Sequence, residues 1–362
     1  MPRVIGIDPG TVSIDLCGLA DGRVFLDRAL PTAEALADPA ALVRLLEAAG
    51  PLDLVAGPSG YGLPLVRARD ASEADLLLAF LAAEGEPGGI GGVRALARAL
   101  ARTALPVVFT PGVIHLASVP EHRKVNRVDL GTADKVCAAA LAIAEQAERT
   151  GGRLDRVSLV LLELGGAFTA AIAVAGGKIV DGVGGSSGPL GFRAAGALDG
   201  EVAFLAGSVP KAMLFSGGGV AVAGWDDRGA TPERFADPAT PRERLAWDAF
   251  IESAVKCATA LALSVPAPKE FVLSGRLAQV EAVQHAIRQR LGLLASTRVL
   301  EGFARVAKQG AQGAALIADG LAGGGHRALV ETMGIRDARG TVLDHLYVIS
   351  PEQARRRLGL ER

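Results

Sequence analysis

The sequence predicts a two-domain α/β protein in which each half of the chain follows the order βββαβαβ. The length of 362 residues suits two domains of ordinary size. Each half begins with short apolar segments separated by glycine-containing turns, and helical patterns then alternate with buried strands. Hydrophobic residues make up 50% of the chain and charged residues 21%, so the chain can bury a large core and is not disordered as a whole.

The first half opens with three strands joined by the turns Pro9-Gly10-Thr11 and Asp21-Gly22. Asp-Gly is typical of a hairpin because both turn positions tolerate positive φ. An amphipathic helix over residues 33–49 follows and ends at Gly50-Pro51. The predicted strands of this half span residues 4–8, 13–20, 23–30, 52–56 and 106–110.

The second half repeats this order. Its clearest helix start is Thr240 as N-cap, Pro241 at the first helical position and Glu243 two residues further, which together form a capping box. That helix is predicted to run to about residue 263, and a last helix covers about residues 305–321. The predicted strands span residues 157–162, 169–175, 178–183, 270–273 and 296–300.

A further helix over Ala133–Arg149, with Thr132 as its N-cap, joins the two halves, and Gly151-Gly152 after it is the expected hinge. The predicted domains are therefore a first lobe over residues 1–131, a connecting helix and hinge over 132–150, and a second lobe over 151–322. Residues 323–362 are expected to form a tail that packs back on the body, with an interface segment as the alternative.

Composition excludes several function classes. A net charge of −1 lacks the basic surface that a sequence-independent nucleic-acid binder needs. The apolar stretch 157–177 is cut by glycine pairs into strand-length pieces, which favours a buried hairpin over a membrane span. Three isolated cysteines suit reduced thiols in a cytoplasmic protein, and the five histidines lack zinc-ligand spacing. We expect a small-molecule partner and neither nucleic acid nor membrane, with a homodimer as one option.

The first turn is the most informative candidate site. Asp8 ends a buried strand and is followed by Gly10 and Thr11 in a tight turn. A carboxylate at a strand end beside backbone N–H groups suits a magnesium–phosphate group, because aspartate holds the metal and glycine allows close approach of phosphate oxygens. The alternative is an ordinary hairpin with an aspartate in its turn.

The second half offers two matching elements. Glu163 stands at the end of a buried strand and is followed by Gly165 and Gly166, so the two acid-plus-glycine hairpins would grip one phosphate chain from two sides. The segment FVLSGR breaks a buried strand into a helix and would place a nucleotide base or ribose against its glycine turn. The alternatives are independent β-turns and an ordinary strand-to-helix connection.

Two loops of the first half are candidates for substrate binding. The loop 120–135 is the densest cationic cluster and could hold phosphates and an acidic substrate, with a solvated loop as the alternative. The loop GPSGYGLP follows a strand and could form a pocket wall, with a rigid turn as the alternative. The candidate residues in these loops are Ser59, Tyr61, Arg123, Lys124, Arg127 and Lys135.

These motifs together resemble the superfamily of acetate and sugar kinases, Hsp70 and actin. ELGGAFTAAIAVAGGKIVD (163–181) is similar to an acetate and butyrate kinase stretch that usually begins His-Leu-Gly. KVNRVDLGTADKVCAAALAIAE (124–145), together with GPSGYGLP, resembles a prokaryotic family described as predicted butyrate kinases. The resemblance covers about residues 3–322 and implies two ribonuclease-H-like lobes, the actin-like ATPase fold, with MgATP in the cleft between them.

By this resemblance, Asp8, Gly10 and Thr11 match the first phosphate loop and Gly165 and Gly166 the second. Ser274 and Gly275, followed by Arg276, match the adenosine turn. The sequence departs from the pattern in three respects: Glu163 replaces the usual histidine, and the adenosine turn is Ser-Gly instead of Gly-Gly. The arginines that bind the carboxylate in acetate kinase also have no matching motif.

We therefore expect an ATP- and Mg²⁺-dependent phosphotransferase that acts on a small molecule, with a short carboxylic acid as the first candidate. Asp8 would organise the metal, Glu163 would order a water or act as a base, and Lys135 would assist at the phosphates. The alternative is a nucleotide-gated switch, without catalysis or with slow hydrolysis, that acts on a protein partner.

Overall fold

The computed structural model describes residues 2–81 and 89–360, and it divides into two compact units. The first unit comprises residues 2–157, 176–179 and 301–360 within the described ranges, and the second comprises 158–175 and 180–300. The first unit is thus assembled from three separate stretches of the chain.

Each unit is built on one mixed β-sheet. The first sheet has the order β3-β2-β1-β4-β6-β5 and the second the order β11-β10-β7-β8-β9. The strands are β1 (Arg3–Pro9), β2 (Ser13–Ala20), β3 (Arg23–Pro31), β4 (Leu54–Gly57), β5 (Val66–Arg67), β6 (Val107–Phe109), β7 (Ser158–Leu164), β8 (Thr169–Ala175), β9 (Lys178–Val183), β10 (Glu270–Ser274) and β11 (Ser296–Val299).

Helices connect and cover the sheets. Within the described residues they are α1 (Thr32–Ala37), α2 (Pro39–Ala48), α3 (Glu73–Phe80), α4 (Gly89–Ala101), α5 (Glu121–Lys124), α6 (Ala133–Arg149), α7 (Gly200–Ala206), α8 (Gly219–Ala223), α9 (Pro232–Phe235), α10 (Pro241–Ala262), α11 (Glu281–Leu291), α12 (Gln309–Leu321), α13 (Arg327–Met333) and α14 (Pro351–Arg357). Across these ranges, no helix combines the length and apolar character needed to cross a membrane.

The strand order confirms the predicted fold class. In each unit an antiparallel β-meander lies next to parallel strands reached through helices: β1 pairs antiparallel with β2 and parallel with β4, and β7 pairs antiparallel with β8 and parallel with β10. The predicted capping box of α10 is also present, because the Thr240 side chain accepts from the Glu243 N–H and the Glu243 carboxylate accepts from the Thr240 N–H.

Small residues allow α12 to pack directly on the backbone of β1 and α6. A Cβ on Gly6 would lie 2.2 Å from the Ala315 nitrogen, and a Cβ on Gly313 would lie 1.7 Å from the Cys137 carbonyl oxygen. No side chain fits at either contact. Close packing of α12 on both elements therefore joins the C-terminal part of the chain to the first sheet.

The second unit has an aromatic centre. The buried ring of Phe235 makes edge-to-face contacts with four other rings, those of Phe192, Trp225, Trp247 and Phe250. Such pairs contribute about 0.5–1.5 kcal/mol each beyond the area they bury. This cluster packs α8, α9 and α10 together with the residues that follow β9.

The structure differs from the sequence expectations in three places. The helix predicted over residues 33–49 is two helices, because Asp38 leaves the helical conformation and caps α2, with Pro39 at its first turn. The helix predicted over residues 305–321 is α12, which begins at Gln309 because residues 305–307 donate their N–H groups to Asp27 instead, and it is followed by α13 and α14. Residues 301–322 group with the first unit, whereas the predicted second lobe extended to residue 322.

Candidate functional site

Two aspartates face each other at the ends of β1 and β2. Asp8 and Asp15 are partners in the antiparallel register, and both are buried. Asp15 is paired with Lys308, whose Nζ lies 3.0 Å from its carboxylate, and it also accepts hydrogen bonds from the Ser13 hydroxyl at 2.7 Å and the Lys308 N–H at 3.2 Å. Asp15 is therefore compensated by a cation and two donors.

A third carboxylate comes from the N-terminus of α6. Asp134 accepts hydrogen bonds from the Thr132 hydroxyl and, at 2.5 Å, from Nζ of Lys135. Burial works to raise the pKa of Asp134, but the charge and hydrogen bond of Lys135 and the bond from Thr132 outweigh it, and the pKa lies below its usual value. Asp134 is thus held as a carboxylate.

The pKa of Asp8 is shifted in the opposite direction from that of Asp134. Burial, followed by the negative charge of Asp134, raises the pKa of Asp8 from 3.8 to about 7, although Lys308 and Lys135 act in the other direction. A cation placed beside a carboxyl group with a raised pKa stabilises its ionised form. We define the acidic cluster as Asp8, Asp15 and Asp134 with the two lysines Lys135 and Lys308.

Two glycines leave the space that the acidic cluster occupies. A Cβ on Gly10 would lie 2.7 Å from Nζ of Lys308, and a Cβ on Gly310 would lie 2.6 Å from Oδ2 of Asp8. Gly310 belongs to the first turn of α12, so the N-terminus of this helix reaches Asp8 directly. The Gly10 N–H is used within the turn, where it bonds to the carbonyl oxygens of Asp8 and Ser13.

The donor set of the acidic cluster suits Mg²⁺ held jointly with phosphate. In the described part of the chain, no group of three or more His, Cys, Asp and Glu side chains is arranged to hold a metal ion. Mg²⁺ normally takes one or two carboxylates and completes its shell with water and substrate phosphates. Asp8 and Asp134 provide this number of hard oxygen ligands, and the raised pKa of Asp8 marks the place where a cation is favoured.

The sequence identified part of this cluster. It pointed to Asp8 and Lys135, which the structure brings together, while Thr11 of the same turn is exposed. Asp134 is not among the predicted site residues, and its position in the first turn of α6 is the signal that could have found it. The predicted N-cap Thr132 makes no side-chain cap on α6, because its hydroxyl donates to Asp134. Lys308 was missed, because no local pattern marks a lysine that contacts Asp15 from 293 residues away.

The GPSGYGLP loop lies against the start of α6. The Gly60 carbonyl accepts from the Ala133 N–H at 3.0 Å, one residue before Asp134. Ser59 is buried and its hydroxyl donates to the Thr110 carbonyl at 2.5 Å, while Tyr61 is also buried. The loop is thus fixed next to the acidic cluster, and the substrate roles of Ser59 and Tyr61 stay predictions.

The cationic loop does not form one surface. Lys124 is buried and its ammonium group donates to the Leu116 carbonyl at 3.1 Å, whereas Arg127 is exposed. Arg123 is half-buried. Only Lys135 of the four predicted cations belongs to the acidic cluster, and substrate binding by the other three stays a prediction.

The second unit brings two of its predicted residues into contact. The Ser274 hydroxyl donates to the Glu163 carboxylate across the adjacent parallel strands β10 and β7. Gly275 has φ +89°, and a Cβ there would lie 2.5 Å from the Leu164 carbonyl oxygen, so only glycine fits this turn. Arg276 is exposed.

The second glycine turn is closed by its own backbone. The Gly165 N–H bonds to the Phe168 carbonyl at 2.9 Å, and Nη1 of Arg193 donates to the Gly166 carbonyl at 2.6 Å. Both glycines are half-buried. Their predicted role in binding phosphate stays a prediction.

Solved structures with the same fold include acetate and propionate kinases. Acetate kinase from Entamoeba histolytica matches with a TM-score of 0.55 and 12% identity over 81% of this chain and 87% of that one. A propionate kinase from Francisella tularensis subsp. tularensis SCHU S4 matches with a TM-score of 0.58 and 14% identity over 86% of this chain and 99% of that one. Porphyromonas gingivalis acetate kinase matches with a TM-score of 0.56 and 15% identity over 81% of this chain and 88% of that one. These likenesses confirm the predicted fold class.

No curated protein sequence matches the chain. One family model matches residues 6–348, which is most of the sequence, and its description does not mention butyrate kinases. The narrower resemblance to that group therefore stays a prediction. The chain belongs to the family described as "Protein of unknown function (DUF1464)".

Proposed function

We propose that the protein is a kinase that uses MgATP to phosphorylate a small-molecule acceptor. The observation that carries the proposal is the acidic cluster, in which buried Asp8 lies within electrostatic range of Asp134 and of the ammonium groups of Lys135 and Lys308. Phosphoryl transfer needs positioning and charge neutralisation more than covalent chemistry, and a carboxylate pair flanked by cations provides both.

Each residue of the acidic cluster has a definite part in this proposal. Asp8 and Asp134 would hold Mg²⁺, directly or through its water ligands, and the bound ion would neutralise negative charge on the phosphates. Lys308 is held beside Gly10 by Asp15 and keeps 35% of its side chain exposed, so its ammonium group can contact a phosphate oxygen without losing its place. Lys135 would do the same beside Asp134.

The roles proposed for the second unit follow the resemblance. Gly165 and Gly166 would contact phosphate, Ser274, Gly275 and Arg276 would contact adenosine, and Glu163 would order a water or act as a base. The Ser274–Glu163 hydrogen bond supports a fixed position for that carboxylate. A short carboxylic acid is the first acceptor to test, because acetate and propionate kinases share the fold.

Nucleotide binding is tested first. Thermal unfolding should shift upward with millimolar MgATP and less with ATP plus EDTA, since a ligand that binds only the native state raises stability. The Asp70→Asn variant, which changes an exposed aspartate outside the acidic cluster, should behave like the wild type. Absence of any shift with MgATP would refute the proposal.

The acceptor is tested second, by following ADP formation with short acids, polyols and sugars. A phosphorylated product formed in step with ADP supports a kinase. Phosphate release that matches ADP formation, with no phosphorylated acceptor, would instead indicate the nucleotide-gated switch.

A further inference from the structure

Arg193 holds two consecutive carbonyl groups of the second glycine turn, which comprises residues 165–168. Nη1 of Arg193 donates to the Gly166 carbonyl at 2.6 Å. The Ala167 carbonyl accepts from the backbone N–H groups of Arg193 and Ala194 at 3.0 and 3.1 Å. One residue therefore fixes the directions of two peptide groups in the turn, one through its side chain and one through its backbone.

These contacts determine where the next two N–H groups point. In a planar trans peptide the C=O and N–H bonds point in opposite directions, and within the described residues no peptide bond is cis. The N–H groups of Ala167 and Phe168 therefore point away from the Arg193 contacts. In the part of the chain that the structure describes, neither N–H has a hydrogen-bond partner. A backbone N–H that the fold leaves open bonds to water or to a ligand.

The guanidinium group of Arg193 is bonded to protein on each of its three nitrogens. Nε donates to the Asp227 carboxylate at 2.5 Å, Nη1 to the Gly166 carbonyl, and Nη2 to the Ala230 carbonyl at 3.4 Å. A planar fork can hold three such partners at once, which a lysine ammonium on a flexible stem cannot. The charge of Arg193 is thus compensated by Asp227, and its donors act on the turn.

Glycines support the turn on the side of its carbonyl groups. A Cβ on Gly191 would lie 2.2 Å from the Ala167 carbonyl oxygen, and a Cβ on Gly218 would lie 2.4 Å from the Arg193 carbonyl carbon. Neither position has room for a side chain, so backbone packs directly on backbone. The Gly218 N–H also donates to the Arg193 carbonyl at 2.8 Å. The turn is therefore fixed firmly on one side, and the N–H groups of Ala167 and Phe168 point away from that side.

We propose that Arg193 is a positioning residue that orients the second glycine turn so that the N–H groups of Ala167 and Phe168 bind phosphate oxygens. Successive N–H groups of a turn form an anion-binding site when they are left without internal partners. Arg193 itself does not contact the phosphate, because its donors are bonded to protein. The inference rests on the proposed function, in which the second glycine turn contacts phosphate, and adds the residue that determines the geometry of the turn.

Pyrophosphate tests the inference on the full wild-type chain. In an NMR titration without Mg²⁺, the amide signals of Ala167 and Phe168 should shift with sodium pyrophosphate and not with sodium chloride at equal ionic strength. These signals report on the turn and not on the acidic cluster, so the result is separate from the thermal shift with MgATP that tests the proposed function. Unchanged signals of both residues would overturn the inference.

Two variants distinguish positioning from charge. Arg193→Lys keeps the positive charge but cannot hold three partners, and it should weaken pyrophosphate binding at least about tenfold, because hydrogen bonds to a charged group are lost. Asp227→Ala removes the anchor of Nε and should also weaken binding. Charge alone predicts the opposite, because the loss of a nearby carboxylate makes the turn more attractive to an anion.

Arg242→Gln is the matched control. Arg242 also donates to two carbonyl groups, those of Val222 and Ala221 in α8, at 2.7 and 3.3 Å. Its loss should lower the free energy of unfolding in urea and leave the affinity for pyrophosphate unchanged.

Wild-type affinity in Arg193→Lys, or tighter binding in Asp227→Ala, would overturn the inference. The titration of the wild type decides it even where a variant does not fold. Amide shifts with pyrophosphate but no thermal shift with MgATP would support the positioning of the turn and refute the kinase proposal alone.

Discussion

The hydroxyl group of Ser274 donates a hydrogen bond to the carboxylate of Glu163. By the predicted resemblance to acetate kinases, these two positions carry Glu in place of His and Ser in place of Gly. In the structure the two side chains form one contact between β10 and β7. A glycine at position 274 would leave the carboxylate without this donor, so we infer that the two replacements depend on each other.

A double-mutant cycle tests this dependence. Ser274→Gly removes a buried hydroxyl group that bonds to a carboxylate, and we expect the free energy of unfolding to fall by about 1–3 kcal/mol. Adding Glu163→His should cost less in the Ser274→Gly background than in the wild type, with a coupling energy of about 0.5–3 kcal/mol. Urea unfolding of the four proteins measures the coupling, and additive effects would contradict it.

Asp8→Asn should reduce activity and raise stability. The substitution keeps the shape of the turn but removes the charge proposed to hold the metal, so we expect turnover to fall about a hundredfold or more. It also removes a charge that burial and then the repulsion of Asp134 disfavour, and without Mg²⁺ at pH 8 the free energy of unfolding should rise by about 2 kcal/mol. A folded variant with near-normal turnover would refute the role of Asp8, and Asp70→Asn is the control.

Gly310→Ala should disturb the acidic cluster by steric means alone. The added methyl group would lie 2.6 Å from Oδ2 of Asp8, so the carboxylate must move. We expect MgATP to lose at least about tenfold in affinity, because a displacement of the metal ligand weakens binding even when the charge is kept. Gly200→Ala, also in the first turn of a helix but with open space around it, is the matched control. Titration calorimetry measures both variants, and equal affinities would contradict the geometry.

Lys308→Met should destabilise the first unit through Asp15. The substitution leaves a carboxylate that is 1% exposed without its cation, which typically costs about 3–5 kcal/mol. The double variant Asp15→Asn/Lys308→Met should recover most of this loss while nucleotide binding stays weak. Lys256→Met, which breaks an exposed i,i+4 pair, should cost no more than about 0.5 kcal/mol. A double variant that binds MgATP like the wild type would exclude Lys308 from phosphate binding.

His115 should make stability depend on pH. Its pKa in the folded protein is about 4, below the usual 6.5, so the unfolded chain takes up the proton first as pH falls. Stability should therefore be constant above about pH 6.5 and decrease by up to about 3 kcal/mol towards pH 4. Lys124 and Asp344 are the charged groups that act on the ring. Denaturant unfolding of the wild type and His115→Gln should diverge between pH 8 and 4, and parallel curves would contradict the assignment.

The sequence correctly predicted the elements whose formation depends on residues close together in the chain. The hairpins after β1 and β7, the helix Ala133–Arg149 and the capping box at Thr240 depend on neighbouring residues, and all are present. For the same reason Asp8 and Glu163 could be recognised at the ends of buried strands.

Contacts between distant segments could not be predicted in this way. Lys308 reaches Asp15 only because α12 packs on β1, and Lys124 is buried in a loop that also docks the C-terminal segment. Both depend on residues far away in the sequence. The sequence therefore indicates a cationic cluster in this loop, although its four cations have separate environments.

The three-part composition of the first unit has a consequence for folding during synthesis. Residues 158–175 and 180–300 can collapse as soon as they leave the ribosome, whereas the first sheet must wait for α12 to cover the backbone of β1. At translation rates of about 5–20 residues per second, this wait lasts on the order of ten seconds. During that time Gly6 and its neighbours in β1 are open to other chains, so chaperone binding to nascent chains should peak before α12 emerges.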